Sequence, residues 1–103
     1  MLKITVEGIF LNFIYRIHAI ERMFQRDISE ELVEFTIKNG KIIEEYLDDK
    51  PYPSFLVLGF EDNSQENPIH VVFAKNEGEF IVITTYRPEK LKWTNNFHTR
   101  IKK

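Results

Sequence analysis

The sequence contains no cysteine among its 103 residues. The absence of thiols excludes disulfide bonds, thiolate zinc sites and cysteine nucleophiles, and it is typical of a reducing compartment. Glycine is scarce, with four residues, and no glycine-rich loop for binding phosphate is formed. No stretch approaches the ~18 uncharged apolar residues of a transmembrane helix. We therefore expect a cytoplasmic protein that does not contact a membrane.

The residues that are present suffice for one hydrophobic core. Hydrophobic residues make up 43% of the chain and aromatic residues 14%, so residues 1–103 are predicted to form a single domain. The net charge is only −2, but the cations are unevenly distributed. From Arg87 onward, Glu89 is the single carboxylate among several lysines and arginines. This excess of cations indicates either an anionic partner, such as RNA or an acidic protein, or a solvated tail.

The first third of the chain is predicted to form a short strand and two helices. Met1–Glu7 alternates apolar and polar residues, which favours a strand, and Gly8 is the expected hinge. The first helix is predicted from about Ile9 to Gln25, with an apolar stripe facing the core: Phe13, Ile17, Ile20 and Phe24. The opposite face carries residues capable of chemistry within roughly 80° of one another: His18, Arg22 and Arg26. The second helix begins after Ser29 and ends at Asn39-Gly40.

After Gly40 the apolar pattern has a period of two, which is typical of strands. Four strands are predicted, at Lys41–Leu47, Phe55–Phe60, Ile69–Ala74 and Phe80–Tyr86. A short terminal helix or turn should follow and bury Trp93. The predicted fold is α+β, with two N-terminal helices packed on a four-stranded antiparallel sheet.

Two histidines are candidates for acid–base chemistry. His70 lies in an apolar strand, where an imidazole needs hydrogen-bond partners, so it is either a satisfied core residue or a general acid or base. His18 is either a solvent-facing helix residue or, with Arg22 one turn away, part of a phosphodiester site. No close spacing of histidines and carboxylates indicates a metal site, and we expect no cofactor.

Four sequence blocks closely resemble the domain-of-unknown-function family 4258. They are HAIERMFQRDIS (18–29), NGKIIEEYLDDKPYPSFLVLG (39–59), PIHVVFA (68–74) and IVITTYRPEKLKW (81–93). The resemblance spans about residues 15–93. It departs from the family pattern at Asp27, where glycine is more common. The resemblance implies a RelE-like or barnase-like endoribonuclease fold and a candidate catalytic surface of His18, Arg22, His70 and Tyr86.

The resulting hypothesis is a metal-independent endoribonuclease that cleaves RNA by attack of a 2′-hydroxyl. Arg26, Thr85 and Arg87 are the predicted RNA-binding residues. In small toxins of this kind an antitoxin-like protein would cover the basic face. The alternative is a non-catalytic module that binds protein or nucleic acid, in which the histidines are structural. The two hypotheses differ in whether His18, Arg22, His70 and Tyr86 converge in an open groove.

Overall fold

The computed structural model describes residues 2–6, 9–63, 66–90, 92–94 and 96–101. Within these residues the chain forms two helices and eight strands. In chain order they are β1 (Leu2–Val6), β2 (Ile9–Tyr15), α1 (Ile17–Arg26), α2 (Glu30–Asn39), β3 (Lys41–Tyr46), β4 (Ser54–Phe60), β5 (Pro68–Asn76), β6 (Glu79–Tyr86), β7 (Trp93–Thr94) and β8 (Thr99–Arg100). Gly8, and Lys102 and Lys103 of the basic tail, lie outside the described residues. Neither described helix has the length and apolar sequence that crossing a membrane requires.

The main sheet has six strands in the order β1-β2-β6-β5-β4-β3, and β7 and β8 form a separate hairpin. Neighbouring strands are antiparallel, except that β2 and β6 run parallel and pair Phe13 with Phe80. The sheet is therefore mixed. The fold remains α+β, but the predicted RelE-like arrangement, with two N-terminal helices on a four-stranded antiparallel sheet, is wrong.

The error arises at Ile9–Tyr15, which was expected to be helical and forms β2. The run IFLNFIY is rich in β-branched and aromatic residues, which favour strands. β1 pairs with it on one side, with Val6 opposite Ile9, and β6 pairs with it on the other. Periodicity does not distinguish a buried strand from a buried helix in so short an apolar run. Pairing on both sides therefore decides the conformation.

α1 begins at Ile17 and buries a different face from the predicted one. Ala19 is fully buried and Met23 is 6% exposed, and both belong to the core between α1 and the sheet. Three residues of the predicted core stripe face solvent instead, with exposed fractions of 71% for Ile17, 52% for Ile20 and 88% for Phe24. α1 packs on β6, and a small side chain such as Ala19 allows a helix to approach a sheet closely. The prediction is wrong for these three residues, whereas Phe13, the fourth residue of the predicted stripe, is buried but belongs to β2.

α2 has the predicted bounds and the predicted cap. The Ser29 hydroxyl accepts a hydrogen bond of 3.1 Å from the Leu32 N–H, which satisfies one free amide at the helix start. At the other end, a Cβ on Gly40 would lie 2.5 Å from the carbonyl oxygen of Leu58. A side chain at position 40 would therefore displace backbone where α2 turns into β3.

The core lies between the two helices and one face of the sheet. Its buried apolar residues are Ala19, Met23, Ile28, Val33, Val57, Ile69, Val71, Phe73 and Val82. Successive strand residues point to opposite faces, so His70, between Ile69 and Val71, points away from the helices. There its ring meets that of Trp93 at a centroid distance of 4.4 Å. Trp93 is 5% exposed, which confirms its predicted burial, although the terminal segment is a hairpin rather than a helix or turn.

Candidate functional site

His70 and Tyr86 stand opposite each other in the antiparallel pairing of β5 and β6. His70 is fully buried, and both of its ring nitrogens have partners. Nε2 lies 3.0 Å from the carbonyl oxygen of Phe97, and Nδ1 lies 3.3 Å from the Tyr86 hydroxyl. A carbonyl only accepts, so Nε2 carries the proton and Nδ1 accepts a hydrogen bond from Tyr86. The imidazole thus joins β6 to the C-terminal hairpin.

Burial sets the protonation of this pair. Desolvation lowers the pKa of His70 to about 4, although its hydrogen bond to Phe97 acts in the opposite direction. Burial also raises the pKa of Tyr86. At neutral pH the imidazole and the phenol are therefore both uncharged. Neither pKa lies near 7, where an efficient general acid or base is expected to titrate.

Arg26 reaches the same strand end from the helix side. It is the last residue of α1, and its Nη1 donates a hydrogen bond of 2.8 Å to the carbonyl oxygen of Thr85. Thr85 itself is fully buried, and its hydroxyl donates to the carbonyl oxygen of His70 at 2.8 Å. The Thr85 side chain is therefore buried and hydrogen-bonded within the sheet, whereas Arg26 is exposed.

Arg87 ties β6 to the end of α1. Its Nη1 donates to the carbonyl oxygen of Arg26 at 2.5 Å, and its Nη2 donates to that of Asp27 at 3.2 Å. Its Nε donates to a carboxylate oxygen of Glu61 at 2.8 Å, and this contact raises the pKa of Arg87. A cation at the last carbonyls of a helix satisfies unpaired acceptors and opposes the helix dipole. Arg87 therefore has a structural role that its position in the sequence block IVITTYRPEKLKW does not reveal.

Replacing Arg87 with alanine is expected to lower the free energy of unfolding by about 1–2 kcal/mol, because carbonyl oxygens at the end of α1 lose a charged donor. Lysine should restore little of the loss, because an ammonium group lacks the planar fork that reaches three acceptors. Lys92→Ala is the matched control and should cost less than about 0.5 kcal/mol. Urea denaturation at neutral pH measures all three. Equal losses for Arg87→Ala and Lys92→Ala would contradict the capping role.

A basic cavity of about 610 Å³ lies where α1, β6 and the C-terminal hairpin meet. It is lined by Arg26, Tyr86, Arg87, Pro88, Glu89, Lys92, Trp93 and Arg100. The lining therefore holds four cations and one carboxylate. Concentrated positive charge in a concave site attracts anions more strongly than the same charges spread over a flat surface.

Arg100 forms one wall of the basic cavity and is held in place by two contacts. Its guanidinium carbon lies 4.6 Å from the centroid of the Trp93 ring, and its Nη2 donates a hydrogen bond of 3.1 Å to Glu44. The contact with Glu44 raises the pKa of Arg100. Lys92 is held more loosely, with its Nζ 3.8 Å from a Glu89 oxygen. In the basic cavity, Arg100 therefore has two close contacts, whereas the described ion pair of Lys92 is long.

His18 and Arg22 make their described contacts within α1. The Nδ1 of His18 lies 3.2 Å from Glu21, and the His18 side chain is 83% exposed. Arg22 donates to Gln25 at 3.1 Å. His18 precedes Arg26 by eight residues, which corresponds to about 12 Å along a helix axis. The structure therefore brings Arg26, Tyr86 and Arg87 together in the lining of the basic cavity. His70 contacts Tyr86 but does not line the cavity, and His18 and Arg22 also lie outside the lining.

The sequence did not predict the wall of the basic cavity that the C-terminal hairpin forms with Lys92, Trp93 and Arg100. The excess of cations after Arg87 was the available signal, but nothing in the spacing places Lys92 or Arg100 beside Tyr86. The Cα pairing of Trp93 with Arg100 creates that wall. Among the described residues, no group of three His, Asp or Glu side chains is arranged to hold a metal ion.

The family model for the domain of unknown function DUF4258 matches residues 15–87. The chain belongs to the DUF4258 family. The matched region ends at Arg87, so it includes Arg26 and Tyr86 but not Lys92 or Arg100 on the hairpin wall of the basic cavity. Searches of the curated proteins and of the solved structures found no significant match. No comparison supports a RelE-like or barnase-like kinship.

Proposed function

We propose that this DUF4258 domain is a non-catalytic RNA-binding module that holds a phosphate group of single-stranded RNA in the basic cavity. The observation that carries the proposal is the convergence of four cations from α1, β6 and the C-terminal segment on one concave site. Phosphate contacts from arginine and lysine supply most of the affinity in nucleic-acid binding. Arg26 and Arg100 are each fixed by a protein acceptor, so less side-chain entropy is lost when they bind phosphate.

Three features of the basic cavity favour RNA over a simple anion. Its volume of about 610 Å³ exceeds what one phosphate needs and lies in the usual range for small-molecule sites. Tyr86 offers an aromatic wall beside the cations, and aromatic rings bind unstacked bases. Glu89 offers a carboxylate acceptor, which suits the donor of a ribose 2′-hydroxyl and disfavours a bare phosphate.

The surroundings of His70 support binding rather than catalysis. A buried imidazole with both nitrogens occupied, one by a backbone carbonyl, serves to hold structure together. Its lowered pKa also makes it a weak base at neutral pH. The exposed His18 makes its described contact with Glu21, outside the lining of the basic cavity.

A metal-independent endoribonuclease is the second candidate, because Tyr86 both lines the basic cavity and hydrogen-bonds to His70. In that mechanism the 2′-hydroxyl attacks the adjacent phosphate, and its proton passes through the Tyr86 hydroxyl to Nδ1 of His70. The same pair then returns a proton to the departing 5′-oxygen, which leaves a 2′,3′-cyclic phosphate and a 5′-hydroxyl. Neighbouring guanidinium groups would stabilise the charge on the phosphorane. An antitoxin-like protein partner belongs with this candidate only.

The test of the proposed function is fluorescence anisotropy of a 5′-labelled single-stranded RNA at several salt concentrations. Arg26→Ala and Lys92→Ala are each expected to weaken binding about 5–10-fold and to reduce the salt slope by about one. Arg22→Ala is the matched control, since it removes an arginine of the same helix outside the basic cavity, and it should leave affinity within about twofold. An equal loss in all three variants would contradict a site confined to the basic cavity, because Arg22 lies outside its lining. No binding at low salt would overturn the proposal.

The same samples, run on a denaturing gel in the presence of a chelator, distinguish the two candidates. Intact RNA after long incubation with the wild-type domain is the expected result. Cleavage by the wild type that is lost in Tyr86→Phe would support the endoribonuclease and overturn the non-catalytic proposal. Cleavage that Tyr86→Phe leaves unchanged would exclude both the Tyr86–His70 mechanism and the non-catalytic proposal.

A further inference from the structure

The described part of α1 carries an apolar ridge that the fold leaves in solvent. The ridge consists of Ile17, Ile20 and Phe24, which are 71%, 52% and 88% exposed. Their spacing of three and then four residues aligns them along one side of the helix. The same helix buries Ala19 and Met23 against the sheet, so its apolar residues span roughly 160° of the helix and the fold covers only one side of that arc. A lone exposed apolar residue is ordinary, but an aligned row on one helix is typical of an interaction surface.

The spacing of the ridge matches the seam of a two-stranded coiled coil. Ile17, Ile20 and Phe24 take positions a, d and a of consecutive heptads, which pack against the same positions of a partner helix. Arg16, the extended N-cap residue just before α1, then stands at the preceding g position, and Glu21, which also contacts His18, takes the e position that follows. Both flanking residues are exposed. In a parallel pair, g of one helix and the next e of the other lie opposite, and charges there set partner and orientation.

We infer that the apolar ridge binds a second copy of this chain, with the two α1 helices parallel and related by a twofold axis. This arrangement places Arg16 of each protomer beside Glu21 of its partner, so two ion pairs flank the apolar seam. An antiparallel pair would bring Glu21 close to its own copy and leave Arg16 without a carboxylate. The charge pattern therefore selects both the partner, an identical helix, and its direction.

The expected dimer is weak. The three ridge side chains expose roughly 400 Å² per protomer, which is about half of what each partner contributes to a standard interface. A dissociation constant on the order of 10–100 μM is therefore expected. Parallel α1 helices also put both basic cavities at the same end of the dimer, since Arg26 ends α1 in each protomer. Self-association itself does not depend on whether those cavities bind RNA.

Sedimentation equilibrium of the full chain without RNA, from about 10 μM to about 1 mM, tests the inference. The wild type should convert from monomer to dimer across this range. Phe24→Glu should raise the dissociation constant at least about tenfold, because two buried rings are replaced by two charges. Phe35→Glu is the matched control, since Phe35 is a 51% exposed phenylalanine on α2, and it should dimerise like the wild type.

Charge exchange tests the orientation. Arg16→Glu alone and Glu21→Arg alone should each weaken the dimer about threefold or more, because like charges then meet across the seam. The double variant, with both charges exchanged, should recover the wild-type constant. Failure of that recovery would overturn the parallel arrangement. A wild type that stays monomeric at about 1 mM, or a dimer that Phe24→Glu leaves intact, would overturn the interface as a whole.

Discussion

Lowering the pH from 7 to 5 is expected to cost the domain about 2 kcal/mol of stability through His70 alone, and about 3 kcal/mol by pH 4. The cause is the burial of the imidazole, which lowers its pKa from an ordinary 6.5 to about 4. Between these two values the unfolded chain binds a proton that the folded chain does not bind. The free energy of unfolding therefore rises with pH across this window. The destabilisation caused by His70 is absent above about pH 6.5 and reaches its full size below about pH 4.

The groups around His70 allow this effect to be separated from ordinary acid denaturation. Glu44, a carboxylate that acts on His70 electrostatically, has a pKa lowered by its hydrogen bonds to Tyr46 and Arg100 despite its partial burial. A lowered carboxyl pKa contributes stability above its unfolded value near 4.5, and that stability is lost only as the pH falls below it. The loss between pH 7 and pH 5 therefore reports mainly on His70.

Chemical denaturation at pH 7, 6 and 5, followed by the fluorescence of the single tryptophan, measures the loss. His70→Gln should be nearly independent of pH in this window, because its amide can donate to Phe97 without titrating. His18→Gln is the matched control and should keep the pH dependence of the wild type, since the His18 side chain is 83% exposed. Parallel curves for the wild type and His70→Gln would show that His70 is not held neutral by burial.

The chain from Ser29 to Pro88 was predictable because local signals and tertiary structure agree there. Ser29 and Gly40 delimit α2 chemically, and Pro88 follows the last long strand. Between them the period-two pattern places β3 to β6 within two residues of their predicted ends. Turn residues and alternation are local properties of the chain, so no knowledge of distant contacts was required.

The segment of residues 9–26 was not predictable because a distant strand determines it, whereas the strand predicted before Gly8 is confirmed at Leu2–Val6. β2 pairs with β6, about 67 residues later, and no local pattern in IFLNFIY encodes that partner. Once these residues form a strand, α1 starts eight residues later than predicted, and packing on β6 then determines which side of α1 is buried. His18, Arg22 and Arg26 do lie on one helix, α1, at the predicted spacing. What failed was the inference of which side contacts the sheet.

The candidate site was predictable only where β5 and β6 contribute to it. The pairing of His70 with Tyr86 follows from two adjacent antiparallel strands. The role of Arg87 as a helix cap requires the end of α1 to lie beside β6, and the position of Arg100 requires the hairpin to fold back over Trp93. These are tertiary contacts between segments that differ widely in position along the chain. A sequence pattern can identify such residues as candidates, but it does not show which residues they contact.

Phe13→Ala is expected to destabilise the domain by about 3–5 kcal/mol, whereas Phe24→Ala should change stability by less than about 0.5 kcal/mol. As a helix stripe, the two phenylalanines would be equivalent core residues. In the structure Phe13 is fully buried in β2 and its ring stacks on that of Phe80 at 5.4 Å, while Phe24 is 88% exposed on α1. Removing the first ring leaves a cavity between β2 and β6, and removing the second leaves only solvent.

Urea denaturation of both variants at about 5 μM protein, where the proposed dimer is dissociated, keeps self-association out of the comparison. Phe80→Ala should resemble Phe13→Ala, because each ring is the other's packing partner. The double variant should cost less than the sum of the two single losses, since the stacking contact is lost only once. Comparable losses for Phe13→Ala and Phe24→Ala would support a helix over Ile9–Tyr15 and would contradict the parallel pairing of β2 with β6.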